Sequence, residues 1–185
     1  MKKMTHSRFT ALLLGALVLG AFSANAQDDK SNRPSPPAET SGTVDGTDIT
    51  INYSRPSVKG RTIFGELEPY GKVWRTGANE ATTFEVSTDV EIEGKPLPAG
   101  KYALFTIPTE DEWTIIFNKT AEQWGAFKYD EAQDALRVEV TPEETDEPTE
   151  QLTFEIGDEG EVTMMWANTA VSFDVANAGQ ASNEQ

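Results

Sequence analysis

The chain has 185 residues, 31 acids against 15 bases for a formal net charge of −16, no cysteine and a single histidine, His6. That balance excludes nucleic acid and anionic membrane surfaces as general partners, and no disulfide can hold the fold. Because His6 falls in a segment expected to be removed, nucleophilic systems of the Ser-His-Asp or Cys-His type and zinc sites built on His or Cys are excluded too, and the chain calls for no cofactor and no metal.

Residues 1–26 read as a secretory signal: a basic start with Lys2, Lys3 and Arg8, an apolar run over 11–22, and the small-residue site Ala24-Asn25-Ala26. The run is short for a permanent span, which needs ~20 residues. The expectation is an exported protein, periplasmic or extracellular, with no membrane anchor. Residues 27–40 are polar and Pro-rich and predict a disordered leader. Residues 177–185 predict a disordered tail, which leaves 41–176 as one domain.

Within it the signal is almost purely β. Ile49, Ile51 and Tyr53 alternate with polar partners after an Asp45-Gly46 turn, and 82–87 and 90–92 are short alternating runs before a turn at Gly94. KYALFTI (101–107) and WTIIF (113–117) are apolar on both faces and predict a central hairpin covered from two sides. Leu136, Val138 and Val140 predict another strand, as do Leu152, Phe154 and Ile156; Val162, Met164 and Trp166 form the next, and Val171, Phe173 and Val175 a last one. A helical turn is expected near 120–124 and another in 53–79. TPEETDEPTE (141–150), with five acids and no base, predicts a mobile acidic loop whose spacing does not suit calcium. The fold class is all-β, an antiparallel β-sandwich or jelly roll of about eight or nine strands.

Against the acidic background, residues 53–79 form a basic island: Arg55, Lys59, Arg61, Lys72 and Arg75 against Glu66 and Glu68, interleaved with Gly, Pro, Tyr70 and Trp74. Gly density lets backbone approach a ligand, and Arg captures carboxylate or phosphate with two hydrogen bonds. Arg55, Lys59, Arg61, Tyr70, Trp74, Arg75 and Asn79 are therefore candidate ligand-binding residues, Arg75 facing the ligand and Lys59 and Arg61 at the rim. The bland alternative pairs the arginines with carboxylates and makes Tyr70 and Trp74 core plugs.

The blocks SRPSVKGR (54–61), IFG (63–65), PYG (69–71), VWRTGANEAT (73–82), LPAGKYALFTIP (97–108), WTIIFNK (113–119) and Trp124-Gly125 resemble an exported bacterial family, that of domain of unknown function 2911. The resemblance spans roughly 41–175. It implies export and a β-rich domain, and it carries no activity and no catalytic residue to transfer.

The leading expectation is a binding module for an anionic small molecule or acidic glycan. The alternative is a carboxylate-based hydrolase, with Glu80 beside Arg75 as the candidate acid or base; the stronger reading of Glu80, one of 31 acids, is an ion-pair partner of Arg75. A third reading is a structural or adhesive domain locked by an amide bond between Lys59 or Lys72 and Asn79, assisted by Glu80.

Overall fold

The computed structural model describes residues 30–179; the expected signal segment and most of the expected tail lie outside them. In chain order the strands are β1 (Pro37–Val44), β2 (Thr47–Ser54), β3 (Thr82–Val86), β4 (Val90–Ile92), β5 (Lys95–Leu97), β6 (Gly100–Ile107), β7 (Trp113–Asn118), β8 (Asp134–Val140), β9 (Glu143–Ile156) and β10 (Glu161–Asn177). They pair in two antiparallel sheets, β1-β2-β3-β6-β7-β8 and β5-β4-β10-β9. The architecture is an all-β sandwich of ten strands, one or two more than the alternation predicts. Helix among the described residues is limited to 3-10 turns at Lys30–Asn32 and Glu131–Gln133. The turns expected at 120–124 and within the island do not form.

Alternation puts one set of side chains between the sheets. Ile49, Ile51, Phe84, Leu104 and Phe117 from the first sheet meet Val90, Ile92, Phe154, Met164, Trp166 and Phe173 from the second, all at most 3 % exposed. The connections that permit this are tight: Asp45 (φ 49°) with Gly46 (φ 80°), and Glu93 (φ 50°) with Gly94 (φ 69°), both left-handed pairs that match the twist of flanking strands.

The doubly apolar strands β6 and β7 are covered on both faces, as their composition requires. Their outer side chains Ala103, Phe105 and Ile116 form a second, smaller core with Ala81, Val73, Ala126 and Tyr129. The Phe105 and Tyr129 rings meet edge to face at 5.1 Å. The segment between β7 and β8 thus acts as a lid over the outer face of the six-stranded sheet.

Three stretches differ from expectation. Strand β1 begins at Pro37, inside the stretch read as a disordered leader, because residues 37–40 pair with 51–54 of β2. The acidic 141–150 segment is mostly the start of β9 rather than a loop. It pairs with the middle of β10 (Thr149 with Ala167, Glu144 with Thr169), and at a sheet edge its carboxylates reach water without needing an apolar face. Finally, the two expected last strands are one strand, β10, kinked where Ala167 takes φ 54° and the register slips.

Candidate functional site

The basic island does not bring its charges together. Arg55 spends its guanidinium on β9, donating to the Leu152 carbonyl (2.9 Å) and to Thr153 Oγ1 (2.7 Å). Arg61, exposed, donates to the carbonyls of Val58 and Ser57 in its own loop. Lys59 and Lys72 are exposed. Trp74 is 3 % exposed and stacks on Trp166 at 5.7 Å, so it is a core plug, not a ligand wall. Tyr70 lines a separate cleft with Phe64 and Trp113.

Arg75 is half-buried and its Nε has no hydrogen-bond partner. It lies near Glu68, whose carboxyl burial pushes up to about 7 although Arg75 and Arg61 pull it down. Asn79 donates to the Ser35 carbonyl (3.0 Å), holding the amino-terminal segment. No hydrogen bond among the described residues joins it to Lys59 or Lys72.

The end of the island builds something different. In Thr76-Gly77-Ala78-Asn79, Thr76 (φ 53°) and Asn79 (φ 59°) are left-handed. Gly77 is pressed so close that a Cβ would meet Thr82 Oγ1 at 2.9 Å and the Ser54 carbonyl at 3.2 Å. This turn delivers Glu80 to the outer face of the six-stranded sheet. There Ala81 N–H donates to the Gln123 carbonyl (2.9 Å) and Gly125 N–H to the Asn79 carbonyl (3.0 Å). That pattern makes Glu80 and Trp124 a non-hydrogen-bonded antiparallel pair, with side chains adjacent on one face.

A pocket of about 470 Å³ opens at this junction. Its floor carries Asn52, Thr83 and Lys101 from β2, β3 and β6, each alternating with core-facing neighbours. Lys30, Glu80, Ala121, Glu122 and Gln123 line its sides. Glu80 accepts from Lys30 Nζ (2.9 Å) and twice from Arg33 Nη1 (2.9 and 3.1 Å), not from Arg75. Partial burial would raise its pKa, but the hydrogen bonds from Lys30, its own backbone and Arg33 win and hold it down at about 2. Lys101 and Glu122 face each other loosely at 3.5 Å.

Two oxygens of the residues around this pocket lack protein partners. Among the described residues four buried side-chain polar atoms have none, and two of them, Thr83 Oγ1 and Gln123 Oε1, belong to residues that line it. Thr83 is 8 % exposed, and Gln123 uses its Nε2 on the Thr120 carbonyl (2.8 Å), which leaves Oε1 as an acceptor only. The residues of the pocket therefore carry a hydroxyl, an amide oxygen, a loose Lys101–Glu122 pair and one fixed carboxylate, Glu80: donors and acceptors side by side over a sheet floor.

Of the residues nominated from sequence, Glu80 is in this pocket and Asn79 supports it. Asn52, Thr83, Lys101 and Gln123 were missed. The available signal was weak: Thr83 is a polar outward position in an apolar run, and Gln123 immediately precedes the Trp124-Gly125 block.

No curated protein and no solved structure matches the chain. The family model described as protein of unknown function (DUF2911) matches residues 35–175, a span that takes in the sandwich from just before β1 to the last turn of β10, and the chain belongs to that family.

Proposed function

We propose that the protein is a binding module that takes a sugar unit in the pocket between Glu80 and Gln123. One observation carries this reading: Thr83 and Gln123, each with a buried oxygen that has no protein partner, both line the same pocket of about 470 Å³. A buried oxygen left unpaired costs ~1–3 kcal/mol, and a polyhydroxylated ligand supplies donors and acceptors to both. A binding role suits Glu80 better than hydrolysis does, since a carboxyl held at about 2 by hydrogen bonds from Lys30, its own backbone and Arg33 has no proton to donate at neutral pH and is only a weak base. The expected preference for an anion rests on Lys101, whose long contact with Glu122 is easily exchanged for a ligand carboxylate.

Titration calorimetry with glucose, N-acetylglucosamine and galacturonic acid tests the reading on wild type and Thr83→Val. Valine keeps the shape and removes the hydroxyl, so affinity for the sugar that binds should fall ~2- to 10-fold, while stability is kept or improved. Binding of none of the three, or unchanged affinity in Thr83→Val, overturns it.

A further inference from the structure

We infer that the ligand is a glycan chain, and that Trp124 and Phe127 are stacking positions for the sugars that continue out of the pocket. The inference rests on the sugar reading of the pocket and extends it from one unit to a chain.

Exposed apolar bulk is scarce among the described residues. Leu67 and Tyr70 are each 40 % exposed, Trp124 57 % and Phe127 86 %. The two most exposed rings among the described residues sit three residues apart in one segment, immediately after the pocket residue Gln123. The backbone around Trp124 is fixed. Trp124 is held through the backbone bonds of its neighbours to Asn79 and Ala81, and its side chain shares a face with that of Glu80. The Arg33 guanidinium, which grips the Glu80 carboxylate, also lies 6.0 Å from the Trp124 ring centre. The ring is thus coupled to the pocket wall.

Phe127 lies over a glycine. Gly125 takes φ +63°, and a Cβ there would meet the Phe127 ring at 2.9 Å. The glycine lets the ring lie against the backbone, while the ring as a whole stays largely in water.

A pyranose fits such a surface because its C–H face packs on an aromatic ring while its hydroxyls reach water and neighbouring polar groups. The surroundings supply those groups: Glu122, Lys128, Asp130 and Glu131 are all exposed. Two rings set among charges are too small a patch for a stable protein interface, which buries ~800 Å² on each partner.

The test compares each monosaccharide with its linear hexamer: glucose with cellohexaose, N-acetylglucosamine with chitohexaose, galacturonic acid with hexagalacturonate. The hexamer of the sugar that binds should bind about 10-fold tighter than the monomer. Trp124→Ala and Phe127→Ala should each remove most of that gain, Phe127→Ala with monomer affinity unchanged, and Trp124→Tyr should restore it. Trp124 also provides a direct readout, because Trp74, Trp113 and Trp166 are at most 3 % exposed. Its emission should shift to the blue with the hexamer and not with the monomer.

If the monomer binds but the hexamer gains nothing, or both alanine variants keep the gain, the chain inference falls and the pocket reading stands. If no sugar binds, both fall. A dimer in gel filtration that Trp124→Ala disperses would assign the rings to a second copy and overturn the inference.

Discussion

Glu68 shows how far a single carboxyl can be pushed by its place in the island. Its backbone is fixed on both sides, its N–H donating to the Ile63 carbonyl (2.9 Å) and its carbonyl accepting from Gly65 N–H (3.0 Å). The side chain is therefore committed to a half-buried position before Arg75 and Arg61 can compensate it. Burial lifts its pKa from 4.5 to about 7. The folded state thus holds the proton more tightly than the unfolded chain does. The stability this contributes is fully present below 4.5 and is lost as pH rises through about 7. Glu68→Gln cannot ionise and escapes the loss. The variant should exceed wild type by up to about 3 kcal/mol at pH above 8 and match it near pH 4. Urea melts at both pH values check this. A gain of equal size at both, or none in the alkaline melt, would show that the carboxyl is not held out of water.

At the scale of elements, β9 is the strand whose sequence and position explain each other. From residue 150 onward its free edge is covered, since Val58 N–H donates to the Glu150 carbonyl (2.8 Å) and Leu152 N–H to the Pro56 carbonyl (3.1 Å). The half before that lies at the sheet edge and carries Glu143, Glu144, Asp146, Glu147 and Pro148. An open edge is a template for another chain, and charge and proline are the usual means of blocking it. Replacing Glu144, Asp146 and Glu147 together by Thr should make the protein self-associate as concentration rises, which sedimentation velocity would detect; a triple variant that stays monodisperse would show that the edge is blocked by other means. The same strand marks what could be read from the sequence. Strands β2, β6 and β7 were legible because burial on one face or two leaves an apolar pattern. The first half of β9 was not, because an edge strand bathed in water on both faces leaves none. Nor was the unity of β10, since the left-handed Ala167 breaks its alternation midway. The site was legible only in fragments. A local count of bases marks residues 53–79, but whether Arg55 is free depends on the Leu152 carbonyl 97 residues away. Thr83 and Gln123 become notable only when the fold brings them to one pocket and leaves their oxygens unpaired.

At the scale of the whole molecule the dominant quantity is charge. The chain carries 31 acids and 15 bases, and the ion pairs among the described residues engage only Glu80, Glu122, Glu131 and Asp134. The other carboxylates repel one another across a sandwich that has no disulfide to oppose them. Unfolding spreads these charges apart, so the repulsion subtracts from stability, and mobile ions should restore what it takes. Raising NaCl from ~0.01 M to ~1 M shortens the Debye length from ~30 Å to ~3 Å, less than the distance between most surface charges. The few surface pairs weakened by the same salt contribute ~0–1 kcal/mol each and do not offset the gain. The melting temperature should therefore rise by a few degrees, on the order of 1 kcal/mol of stability. NaCl is the salt to use, because sulfate would also strengthen apolar burial and blur the cause. A melting temperature that stays flat or falls across this range would mean that the acids are spaced widely enough to be indifferent to one another. The strongly acidic composition would then affect solubility and encounter with ligands, not the stability of the fold.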